Sequence, residues 1–182
     1  MEDNRWIINR AGLLNFWYYD EEEFDFSDGK LLLRGSNGSG KSVTMQSFIP
    51  LLLDGNKSPE RLDPFGSKAR KLENYLLGDE DSGKDESIGY VYMEFKKRKT
   101  ENYMTVGMGF RASRGKALKS WGFVINDGRR IGQDIFLYKK SGGKLPLTAK
   151  ELQNRIDSGG QVIESQNGYM KLVNNYLFGY DN

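Results

Sequence analysis

Eight residues, Gly35 to Ser42 (GSNGSGKS), carry the most specific chemistry in the chain. They fit G-x-x-x-x-G-K-[ST], the phosphate-binding P-loop. At average composition that pattern arises by chance in roughly one chain in a couple of hundred of this length. In such a loop the backbone N–H groups point inward at an anion, and the positive end of the next helix adds to the field. Gly38 and Gly40 let the backbone come close, and Asn37 and Ser39 contribute N–H groups. Gly35, Ser36 and Val43 flank them and complete the candidate set. Lys41 is the expected catalytic cation, its ammonium reaching the β- and γ-phosphates, while the Ser42 hydroxyl takes a Mg²⁺ position. The expected cofactors are ATP and Mg²⁺. The bland alternative is a flexible glycine–serine turn that happens to hold a lysine.

What the chain lacks bounds the chemistry. A P-loop NTPase also needs an acidic residue at the end of an apolar strand for Mg²⁺, and a residue that positions the attacking water. No run of four apolar residues followed by Asp-Glu occurs after Ser42. Leu51-Leu52-Leu53-Asp54 is similar only superficially, because it belongs to the helix that follows the loop. Nucleotide binding without self-sufficient hydrolysis is therefore expected. With no cysteine and no histidine, disulfides, zinc clusters and histidine acid–base catalysis fall away within this chain.

Other chemistry-bearing residues come in clusters. Basic residues gather at Lys68, Arg70 and Lys71; at Lys96, Lys97, Arg98 and Lys99; at Arg111, Arg114, Lys116 and Lys119; and at Arg129 and Arg130. Either solvated turns or contacts to a phosphate backbone would account for them. Trp6, Trp17, Tyr18 and Tyr19 fit core packing, with base stacking as the functional alternative. The acidic stretch Asp79 to Ser87 has no calcium-loop spacing and reads as a solvated turn.

The elements that must position these groups follow from patterning. Arg5 to Tyr19 reads as two strands broken at Gly12, and Phe24 and Phe26 lead to an Asp28-Gly29 hairpin turn. Lys30 to Arg34 is the strand entering the P-loop. Met45, Phe48, Ile49, Leu52 and Leu53 recur at helical spacing after it. Pro50 predicts a kink or an early end to that helix. A short helix is expected over Ser67 to Leu77, closed by Gly78. Four strand-type runs follow, Ile88–Lys97, Tyr103–Ala112, Lys119–Asn126 and Arg130–Lys139, joined too tightly for anything but an antiparallel meander. Tyr90, Tyr92, Glu94 and Lys96 share one face of the first run, and Val91, Met93 and Phe95 the other. Gly107 and Gly109 suggest a bulge or a close backbone approach. Thr148 and Glu151 form a capping box, Gln161–Ser165 reads as a brief strand, and Tyr169, Leu172, Val173, Tyr176 and Leu177 mark a last helix.

At 182 residues the chain fits one domain or a large piece of one. Its organisation divides into 1–86 (hairpin strands, P-loop and following helices), 87–140 (meander) and 141–182 (a helical segment). The near-neutral balance of 27 basic and 25 acidic residues leaves nucleic-acid binding to local clustering. No signal peptide or membrane-length apolar run is present, so the expectation is a soluble cytoplasmic protein without a membrane partner.

From Leu13 to Gly55 the sequence LLNFWYYDEEEFDFSDGKLLLRGSNGSGKSVTMQSFIPLLLDG resembles the start of the head domain in SMC-like ATPases, the condensin-type members of the ABC superfamily. Asn15-Phe16 matches the family's "NF" strand end, and Gly35 to Ser42 its G-x-N-G-S-G-K-S loop. The segments SVTMQSFIPLLLDG, RLDPFGSKARKLENYLLG (Arg61 to Gly78) and LVNNYLFGYDN look like the branch associated with Wadjet-type plasmid defence. The resemblance implies an α/β P-loop NTPase of ABC/SMC head type, represented by its N-terminal lobe only. That lobe would have a mixed sheet, an antiparallel β-meander and peripheral helices. A coiled coil would follow, then a C-terminal half of the same head carrying the signature motif and the Mg²⁺-holding acids. Two heads would sandwich two ATP molecules, double-stranded DNA would be the substrate, and accessory condensin-like subunits would attend.

Carried over by residue, Asn37, Gly38, Gly40, Lys41 and Ser42 match the nucleotide site. Val43 stands where many relatives have a polar residue on the α-phosphate. The resemblance also implies a glutamine after a strand that senses Mg²⁺ and water. Gln166 is the candidate for that catalytic and metal-facing role, with Gln161 second. Arg61 or Arg70 occupies the region where such heads direct a basic residue toward DNA or the γ-phosphate. Two readings from other classes stay beside this one: a self-contained P-loop kinase or GTPase, and a DNA-binding module indifferent to nucleotide.

Overall fold

A long strand, β1 (Trp6–Phe16), lies inside the sheet, with β2 (Tyr19–Ser27) and β3 (Lys30–Leu31) on one side of it. On the other side lie β4 (Glu86–Lys97), β5 (Tyr103–Ser113), β6 (Lys119–Ile125) and β9 (Gly160–Ile163). The order is β3-β2-β1-β4-β5-β6-β9. A separate two-stranded ribbon pairs β7 (Tyr138–Lys140) with β8 (Lys144–Pro146). The helices are α1 (Lys41–Asp54), α2 (Leu72–Leu77), α3 (Ala149–Ile156) and α4 (Gln166–Phe178). This computed structural model describes residues 4–16, 19–31, 41–58, 71–78 and 80–179, with residues 31 and 41–47 described in backbone only.

Period-two alternation gives the sheet two buried faces. Val91, Met93 and Phe95 join Val106, Met108 and Phe110 on the face covered by α1, α2 and α4. Tyr90, Tyr92, Trp121, Phe123 and Ile125 lie on the opposite face. They pack beneath Leu152 and Ile156 of α3 and beneath Ile131, Ile135 and Leu137 of the preceding loop. The Asp28-Gly29 hairpin forms as the sequence requires, with both residues in the left-handed region (φ 48° and 76°). The Thr148–Glu151 capping box opens α3, and both the Gln161 strand and the last helix are present.

Gly12 does not break β1. It pairs directly with Tyr92, and a Cβ there would stand 2.3 Å from the tyrosine ring, so the glycine is the space in which that ring lies. Gly107 and Gly109 play the same part without a bulge. They pair with Phe123 and Trp121, whose rings lie 2.3 Å from where each Cβ would be. Pro50 does not end α1, which runs on to Asp54. Burial of Leu51 and Leu52 on the far side of the proline, each worth about 2 kcal/mol, offsets the one missing helical hydrogen bond.

Residues 130–139 are not a fourth meander strand. The Arg130 carbonyl accepts from the N–H groups of Gln133, Asp134 and Ile135, and Gly132 is left-handed (φ 86°), so the chain turns; only Tyr138 onward is extended. Where a mixed sheet is expected, every pairing between named strands among the described residues is antiparallel. Of the helix expected over Ser67–Leu77, Leu72–Leu77 is helical and ends at a left-handed Gly78 (φ 71°); residues 67–70 lie outside the described residues.

Candidate functional site

The hairpin β2–β3 carries the chain to Leu31, and α1 begins at Lys41. The intervening Gly35, Ser36, Asn37, Gly38, Ser39 and Gly40 lie outside the described residues, and Lys41, Ser42 and Val43 are seen as the first backbone turn of the helix. What is visible is the frame. The first turn of α1 holds no acidic residue, so no carboxylate competes for the positive end of the helix dipole. Phe48 is 1% exposed and meets Phe16 edge-on at 4.9 Å and Tyr75 at 5.7 Å, which seats the helix on β1 and α2. The Asn15-Phe16 pair has a physical role in this seat. Asn15 is left-handed (φ 46°), and its amide donates to the Ile88 carbonyl at 2.7 Å and to Ser87 Oγ at 3.0 Å. Phe16 beside it is fully buried.

The carboxyl end of α1 is clamped by α4. The Tyr169 hydroxyl donates to the Leu52 carbonyl, and Gln166 Nε2 donates to the Asp54 carbonyl at 3.1 Å. Burial pushes the Tyr169 phenol well above its ordinary range, so it stays a donor. The contact with Asp54 places Gln166 at the carboxyl end of α1. Thirteen residues at a helical rise of 1.5 Å put Asp54 about 20 Å from Lys41. Gln166 therefore sits at the end of α1 remote from Lys41. Gln161 lies in β9 opposite Val124. Arg61 and Arg70 lie outside the described residues, as do Trp17 and Tyr18. No group of three or more acidic side chains suited to a metal occurs among the described residues.

Sequence patterning missed a buried ionic cluster on the α3 face. Glu94 is fully buried and accepts from Asn9 (2.8 Å), Arg10 (2.9 Å) and Arg130 (2.9 and 3.1 Å). Neighbouring strand residues normally point to opposite faces, but a register irregularity between Ile8 and Arg10 lets Asn9 and Arg10 reach one carboxylate. Arg10 continues to Glu23 at 2.9 Å and to the Ile131 carbonyl at 2.5 Å. Burial works to raise the Glu94 pKa. Hydrogen bonds from Arg130 and Asn9, with the charge of Arg10, outweigh it and hold the group below the usual carboxylate range. The available signal was a lone glutamate between Met93 and Phe95 in an otherwise apolar run.

The basic clusters separate by what they touch. Lys96 pairs with Glu101 at 3.0 Å, Lys97 stands 4.6 Å over the Trp6 ring, and Arg98 reaches Asp28 at 3.3 Å. Arg129 pairs with Asp127 at 2.6 Å, and Arg130 is held by Glu94. Trp6 thus has a cation on its ring, and Tyr19 packs against the core. Arg111 bonds Glu86 at 2.6 Å, whereas Lys116 and Lys119 carry no ion pair among the described residues.

Comparison with known proteins gives two findings. The AAA domain family matches residues 12–181, nearly the whole chain. A 47-residue stretch is 40% identical to the DNA replication and repair protein RecF of Carboxydothermus hydrogenoformans, covering 26% of this chain. The match spans only 13% of the length of that curated relative. No helix among the described residues is long and apolar enough to cross a membrane.

Proposed function

Since the chain belongs to the AAA domain family, we propose that it is the ATP–Mg²⁺-binding half-site of an SMC-like ATPase that acts on DNA. The observation that carries this reading is the start of α1 at Lys41, directly after the G-x-x-x-x-G pattern and behind a β-hairpin. In this reading Gly35 to Gly40 cradle the phosphates, Lys41 neutralises the β- and γ-oxygens, Ser42 holds Mg²⁺ and Val43 contributes backbone only. Hydrolysis needs an acidic Mg²⁺ ligand and a water-positioning group. We assign both to the C-terminal half of the same head, and the signature motif to a second head across an ATP sandwich. The similarity to a DNA replication and repair protein supports DNA as the substrate. The flanking segments Arg61–Gly78 and Leu172–Asn182 support the plasmid-defence branch, with a coiled coil following α4 and condensin-like subunits as partners.

Calorimetric titration with ATP and Mg²⁺ tests the half-site. The chain should bind nucleotide, Lys41→Ala should abolish binding, and turnover should be negligible until the C-terminal half is supplied. Brisk hydrolysis by the chain alone would overturn the half-site reading.

A further inference from the structure

Two adjoining depressions lie where β5 and β6 meet the start of α3. The larger, about 750 Å³, is lined by Arg111, Lys119, Lys150 and Glu164; the smaller, about 120 Å³, adds Glu86 and Lys116 and shares Arg111 and Lys119 with it. Lys57 stands at the rim, donating to Ser120 Oγ at 2.6 Å. Arg111 and Lys119 are direct cross-strand partners, a like-charge pairing that by itself destabilises a sheet. Glu86 neutralises Arg111, but Lys116, Lys119 and Lys150 have no ion pair among the described residues. The Lys96–Arg98 turn, part of the densest basic run in the sequence (Lys96–Lys99), is by contrast occupied internally by Glu101, Trp6 and Asp28.

We propose that this groove contacts the phosphate backbone of duplex nucleic acid, and that the Lys96–Arg98 turn does not. Among the described residues its one aromatic lining side chain, Trp121, is only 4% exposed, so they offer no platform for stacking an unpaired base, which single-strand readers rely on. Its other apolar lining among the described residues is the part-buried Leu118 and Ala149, with no exposed aromatic side chain of the kind that anchors protein interfaces. Point cations from the β5–β6 turn (Lys116), the start of β6 (Lys119) and α3 (Lys150) suffice for a duplex backbone. None of its lining residues among the described ones belongs to Gly35–Val43, and the choice of DNA as the duplex rests on the function proposed above.

The test compares the full chain with the variant K116E/K119E/K150E and with K96E/K97E. It measures binding to a labelled DNA duplex and its RNA counterpart across a salt series, with ATP binding and melting temperature read on each protein. The groove variant should bind DNA at least about tenfold more weakly, with a salt slope reduced by about three. It should retain ATP binding, and K96E/K97E should match the wild type. Equal loss for the RNA duplex supports the groove and removes DNA as its specific partner. Unchanged affinity in the groove variant overturns the groove while the DNA-acting reading stands. Absence of duplex binding by the wild type overturns both, and its ATP binding then decides the nucleotide reading separately. Should the charge reversals lower the melting temperature, Lys119→Gln with Lys150→Gln should show the same direction of loss.

Discussion

Glu94 shows how one residue can fix a segment that propensity leaves undecided. Its carboxylate gathers Arg10 from β1 and Arg130 from the loop after β6, and so draws that loop onto the sheet face. Removing one partner of a buried ion pair leaves the others uncompensated. Glu94→Gln should therefore cost about 3 kcal/mol in denaturant unfolding, a loss dominated by the stranded arginines. The pH dependence has a definite sign. Because the folded pKa is depressed, this stabilisation is present above the unfolded carboxylate value of about 4.3 and is lost as pH falls toward the folded one. Acid unfolding of the Gln variant should accordingly be shallower. Gly109 makes the complementary point about space. A methyl group there would meet Trp121 at 2.3 Å, against a ring held between strands, so Gly109→Ala should cost about 1–3 kcal/mol by thermal melting.

Helix α1 is held at three places along its length. Phe48 seats its middle, the left-handed Gly55 ends it with an N–H to the Leu51 carbonyl at 2.7 Å, and α4 caps the carbonyls of Leu52 and Asp54. Holding the carboxyl end leaves the amino end, where Lys41 begins, as the end that meets the loop. Tyr169→Phe deletes the phenolic donor while keeping the ring over Gly122, where a Cβ would lie 2.2 Å from it. The expected loss is about 1–2 kcal/mol of global stability, seen in the melting temperature, because the Leu52 carbonyl loses its buried partner. Pro50 was readable as a breaker from sequence, yet the helix persists through it. Local propensity loses there to two fully buried leucines and to caps contributed more than a hundred residues away.

At the scale of the molecule, strands from the first, middle and last thirds of the chain build one sheet with helices on both faces. The sheet carries α1, which begins at Lys41, on one face, and its β5–β6 end presents lysines that have no ion pair among the described residues. If nucleotide and duplex occupy separate surfaces, Lys41→Ala should remove ATP binding and leave duplex affinity within about twofold. Titrating the two ligands on that one variant checks the separation.

The sequence by itself determined what is local. A P-loop pattern needs only its own eight residues, a hairpin only Asp28-Gly29, a helix start only Thr148 and Glu151, and strand faces only their alternation. The tertiary structure alone decided what depends on distant partners. It placed Gln166 against the carboxyl end of α1, folded residues 130–137 over Glu94, kept β1 continuous across Gly12 beneath Tyr92, and sorted internally paired cations from open ones. The division has a physical cause. Backbone conformation and side-chain period act over a few neighbours, whereas burial, charge pairing and ring-over-glycine packing join residues far apart in the chain, and a single sequence carries no record of which pairs will meet.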